Sequence, residues 1–146
     1  MQGDGSMRSV MAQLHIARDM AITQRRNMEV RFVGPNRIQI VRDDLPSGTT
    51  VLTDVLFEGN SQFSLVPGVA DTPDGFGNAS AISFGPSPAI MFGPSGALVG
   101  TNGVPVNGSV FLSVAGMADS VRAVTVLGAT GDVHAFRWSG TTWTRV

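Results

Sequence analysis

Between Met7 and Gln24 the chain carries neither Gly nor Pro, whereas most of its 18 glycines and 8 prolines fall after residue 34. This division restricts the fold more than any other feature, because Gly or Pro inside a helix costs about 1 or 3 kcal/mol relative to Ala. Ala, Met, Gln, Arg and Leu dominate the first stretch, and all are good helix formers. It predicts one helix from Ser6 to Asn27, with Ser6 or Ser9 capping its first N–H groups. Arg25 and Arg26 fall in its last turn, where positive charge meets the negative end of the dipole. Val10, Leu14, Ala17 and Ala21 stack into one apolar stripe. Gln13, Ile16 and Met20 form a shorter stripe on the far side. A helix lying on one sheet needs only one apolar face, so the second stripe either meets a sheet curled around the helix or faces neighbouring helices in an assembly.

From Met28 the apolar period changes to two, in Val30-Arg31-Phe32 and again in Ile38 to Arg42, as on half-buried strands. Gly34-Pro35-Asn36 between them has turn chemistry, so Met28 to Arg42 reads as a β-hairpin. Further short strands are expected at Thr50–Leu52, Phe63–Val66, Ala81–Phe84, Ala89–Phe92, Ser109–Val114, Val121–Leu127 and Asp132–Trp138. The chain closes on a hairpin turn flanked by Trp138 and Trp143, which can pair across strands. One helix followed only by antiparallel strands is an α+β layout. Two small sheets are expected, one of them covering the helix, with the strand order over residues 45–80 left open.

The length of 146 residues suits a single domain. Met1 to Ser6 reads as an expression scar, leaving the domain at 7–146, its helix at about 7–27 and its β-rich part at 28–146. A net charge of −1 supplies no global field for nucleic acid. Cysteine is absent, which excludes disulfides, thiolate catalysis and Cys-based zinc sites. No run approaches the roughly 20 apolar residues needed to span a bilayer, and no signal peptide opens the chain.

Three stretches resemble the globular domain of the GspH/FimT family, the minor pseudopilins of type II secretion and minor pilins of type IV pili. Leu14 to Asn27 followed by Met28-Glu29-Val30 is similar to the family's "L…AR..AI.R...V" passage. Ala89 to Gly96 (AIMFGPSG) is similar to "I.F.P.G". Arg122 to Val126 with Thr130-Gly131-Asp132-Val133 is similar to "R.V.V...TG.V". Residues 45–80 match nothing in that pattern. The resemblance implies a pilin-like α+β fold in which the visible helix is the C-terminal half of a longer one. It also implies a removed hydrophobic segment that anchors in the inner membrane, a globular domain in the periplasm of a bacterial envelope, and partners that are other pilins or pseudopilins docking through their N-terminal helices. A structural subunit needs no cofactor or small-molecule substrate. Gln13, Ile16 and Met20 are then the candidate assembly residues.

Other motifs read as structural. Phe92 to Gly96 lacks the Gly-x-x-x-x-Gly-Lys-Ser/Thr pattern of a phosphate loop and reads as a turn. In DNA-uptake relatives the hairpin at Ala129–Asp132 leads into clustered arginines; here only Arg137 and Arg145 stand nearby, opposed by Asp132. Two arginines fall short of the several neutralised phosphates that nucleic-acid affinity needs. Asp71, Asp74 and Asn78 offer oxygens to calcium without an Asp-x-Asp-x-Asp-Gly register and read as a solvated loop. His15 has no i+4 partner, and His134 sits beside apolar strand residues. Neither Ser113 nor Ser120 lies in a Gly-x-Ser-x-Gly elbow. No enzyme activity and no metal site are expected. The alternative function is a ligand-binding β module for DNA or glycan, with Trp138 and Trp143 as stacking residues.

Overall fold

The computed structural model describes residues 2–57, 59–114 and 117–146. Helix α1 spans Gln2–Gln24, so it begins before the expected Ser6. Met1 lies outside the described residues; within the rest of the opening, Asp4 and Ser6 are buried. Neither serine caps the helix. The Ser9 hydroxyl donates back to the Gly5 carbonyl at 3.0 Å, and the Ser6 and Ser61 hydroxyls bond at 2.6 Å. Arg25 and Arg26 lie past the helix, not in its last turn. Arg25 takes φ 53°, and the Arg26 N–H reaches the Ala21 carbonyl at 3.3 Å, the six-to-one bond of a Schellman termination. This sharp stop turns the chain directly into the first strand.

Strands β1 (Met28–Val33), β2 (Arg37–Asp43), β3 (Thr49–Leu56), β6 (Ile90–Phe92) and β7 (Leu98–Gly100) form one sheet in the order β3-β2-β1-β6-β7. The second sheet runs β11-β10-β9-β8-β4, from β4 (Ser61–Phe63), β8 (Gly108–Val114), β9 (Met117–Leu127), β10 (Asp132–Trp138) and β11 (Trp143–Arg145), and β5 (Ile82–Ser83) also pairs with β8. The strand pairs are antiparallel, and the expected hairpin aligns Met28 with Arg42 and Val33 with Arg37.

The helix packs against both sheets, not one. Val10, Leu14, Ala17 and Ala21 are fully buried in a single cluster with Val30, Ile38 and Ile40 of the first sheet and Val110, Leu112, Val124 and Val126 of the second. Each such side chain contributes about 1.5–3 kcal/mol by leaving water, the alanines less. A ring cluster bridges the layers beyond the helix, with Phe32 of β1 in contact with Phe63 of β4 at 5.6 Å and with Phe84 at 5.6 Å.

Strand β8 is buried on both faces. One face meets the helix, and the connection after β4 covers the other. There Phe111, Ala123 and Phe136 form a second cluster under Leu65 and Trp143. In the 70–80 segment Ala70, Pro73, Gly75, Ala79 and Ser80 are exposed, but the Asp71, Asp74 and Asn78 side chains are hydrogen-bonded to the protein. Asp71 accepts from the N–H groups of Thr72 and Gly77, at 2.8 and 3.0 Å. Asp74 Oδ2 accepts from the Thr125 hydroxyl at 2.6 Å and faces His134 Nδ1 at 3.0 Å. Asn78 donates to the Val69 carbonyl at 3.2 Å.

Candidate assembly face

The outward side of α1 is the ridge that neither sheet covers. Gly5, Arg8, Ala12, His15, Ile16, Asp19, Ile22 and Thr23 are its exposed positions, and Ile16 and Ile22 are 38% and 39% exposed. The proposed far-side stripe divides here. Ile16 stands on the ridge. Gln13 is buried and its amide oxygen accepts from the Thr53 hydroxyl of β3 at 2.6 Å. Met20 is half-buried against the core. Strand β3 reaches the helix flank at Gln13. Ile22, not singled out in the sequence, is exposed as well; six residues on, it stands about a third of a turn around the helix from Ile16, at the other margin of the ridge.

An ion triad fixes the start of this helix. Asp4 Oδ1 accepts from Arg122 Nε at 2.6 Å, and its two oxygens accept from Arg137 Nε and Nη2 at 3.1 and 2.9 Å. Asp4 and Arg122 are 6% exposed, so this pair is held largely away from solvent. Desolvation pushes the Asp4 carboxyl up, but hydrogen bonds from Arg122 and then Arg137, with their charges, outweigh it and hold the carboxyl below its ordinary 3.8. Arg137, a candidate DNA contact, thus has its guanidinium committed to Asp4. Its counter-ion is Asp4, not Asp132, because the odd-numbered side of β10 faces the helix.

At the other end of α1, the three stretches that carry the family resemblance meet. Arg18 Nε donates to the Gly96 carbonyl at 3.2 Å, and Gly131 packs over both. A Cβ on Gly131 would lie 2.2 Å from the Gly96 oxygen and 2.7 Å from Arg18 Nε, at a φ of +77°. Only glycine satisfies both the space and the backbone there. Beside this junction lies an open notch of about 380 Å³, lined by His15, Arg18, Asp132, His134 and Arg145. Arg145, the other candidate DNA contact, stands here, away from the Arg137 ion pair.

A larger groove runs along β1 between the sheets, lined by Phe32, Ile82, Phe84, Pro88 and Ile90. The terminal tryptophans pair across β10 and β11 with ring centroids 5.0 Å apart. Trp143 also contacts Phe111 and Phe136 and donates Nε1 to the Ala70 carbonyl at 2.9 Å, so it serves packing. Trp138 borders a cleft with Pro67 and Gly68. Among the described residues, no group of three or more His, Cys, Asp or Glu side chains converges as a metal site would, and no helix is long and apolar enough to cross a membrane.

Comparison with known proteins agrees with this architecture. Two solved structures of the minor pseudopilin EpsH from the type II secretion system of Vibrio cholerae share the fold. One has a TM-score of 0.63 at 13% identity, covering 94% of this chain and 98% of that one. The other has a TM-score of 0.58 at 15% identity, covering 97% and 94%. No curated protein matches the chain. The sequence profile of the family described as type II transport protein GspH matches residues 6–131. That span takes in the helix from Ser6, the Arg18 junction, the whole first sheet and the second sheet as far as β9, and on it the chain belongs to the GspH family.

Proposed function

We propose that this chain is the globular part of a minor pseudopilin of a type II secretion system, a non-enzymatic subunit that joins a filament in the bacterial envelope through its N-terminal helix. The observation that carries this reading is the open ridge of α1. Both sheets pack on the helix, yet Ile16 and Ile22 remain exposed. Apolar side chains left exposed at the two margins of this ridge suit a neighbouring helix laid alongside. Membership of the GspH family favours secretion over pilus service. A longer upstream helix, apolar enough for the inner membrane, completes the picture, with the β layers in the periplasm.

The alternative, a DNA- or glycan-binding module, is weakened by the commitment of Arg137 to Asp4 and of Trp143 to packing. The test is Ile16→Glu with Ile22→Glu in the full-length protein. An unchanged melting temperature with loss of the protein from sheared filaments is expected. Normal incorporation would remove the ridge from the interface.

A further inference from the structure

We propose that the notch beside the ridge receives an acidic side chain, an Asp or Glu, from a neighbouring subunit of the filament; this rests on the assembly reading above. Three elements build its walls. His15 and Arg18 stand one turn apart on α1, Asp132 and His134 open β10, and Arg145 belongs to β11. Arg18 is oriented by its bond to the Gly96 carbonyl, which directs its guanidinium without neutralising it. His134 turns Nδ1 to Asp74, leaving Nε2 for another partner. Among the described residues, neither Arg18 nor Arg145 has an acidic partner within ion-pair distance.

Arg18, Arg145 and His15 line the notch with one carboxylate, Asp132, while His134 is already held by Asp74. The balance favours one small anion, and Asp132 at the rim disfavours a long polyanion such as nucleic acid. His15 adjoins Ile16, so a helix laid on the ridge carries its side chains over the notch. Charge placed there fixes the register of docking.

The test measures incorporation of the full-length protein into filaments with its own system's subunits. Arg145→Glu and, separately, His15→Glu are each expected to lower incorporation at least about tenfold, with an unchanged melting temperature, while Arg145→Lys retains most of it. Suppressors of Arg145→Glu selected in the companion pseudopilin genes are expected to convert an Asp or Glu to Lys or Arg. Wild-type incorporation with equal incorporation of Arg145→Glu overturns the notch proposal alone. A wild-type protein that never enters the filament overturns the assembly reading, and the notch with it. An Arg145-dependent gel shift with duplex DNA overturns the choice of a protein carboxylate.

Discussion

Asp4 shows how much one side chain can decide. Removing it takes away the carboxylate that both Arg122 and Arg137 hold, so Asp4→Ala is expected to lower stability, read as a lower urea midpoint at neutral pH. Its folded pKa is depressed, so the stability it contributes is complete above the unfolded value of 3.8 and is lost as pH falls through the folded value. The gap between wild type and Asp4→Asn should therefore narrow only on the acid side of 3.8, in paired denaturation curves. Gly131→Ala faces both a positive φ and a carbonyl 2.2 Å from the new carbon. It is expected to cost more than Gly140→Ala, which has the positive φ but open space around it. Asp4 was hard to recognise because its partners lie 118 and 133 residues away, and an acid near a chain start reads locally as a favourable dipole charge at most. Arg145 was visible as a cation, but the company it keeps depends on where β11 stops pairing.

At the scale of elements, periodicity carried most of the information. The inner stripe of α1 and the Met28–Arg42 hairpin follow directly from spacings of 3.6 and 2, since burial on one face selects those residues. Leu14, fully buried between both sheets, is accordingly expected to lose about 2–5 kcal/mol on conversion to Ala, measured by thermal melting or urea. Strand β7 escaped notice because three residues, Leu98-Val99-Gly100, are too few to show alternation. The helix start was misplaced because its first turn is held by tertiary contacts, Asp4 to β9 and β10 and Ser6 to Ser61, not by a local cap. The split of Gln13, Ile16 and Met20 depends on how far β3 reaches around the helix, which no spacing within the helix records.

For the whole molecule, the class and the two-sheet plan were legible, while the helix's place between the layers was not. That arrangement arises from pairings such as β1 with β6, between which the chain forms β2, β3, β4 and β5. The resemblance in three separated stretches gained its meaning in space, where Arg18, Gly96 and Gly131 touch. Because α1 is gripped from two sides, a pull or push along its axis loads both hydrogen-bonded layers together in shear, instead of peeling one away. Such a body can ride on a moving rod as a stiff cargo, with strain shared between two parallel seams.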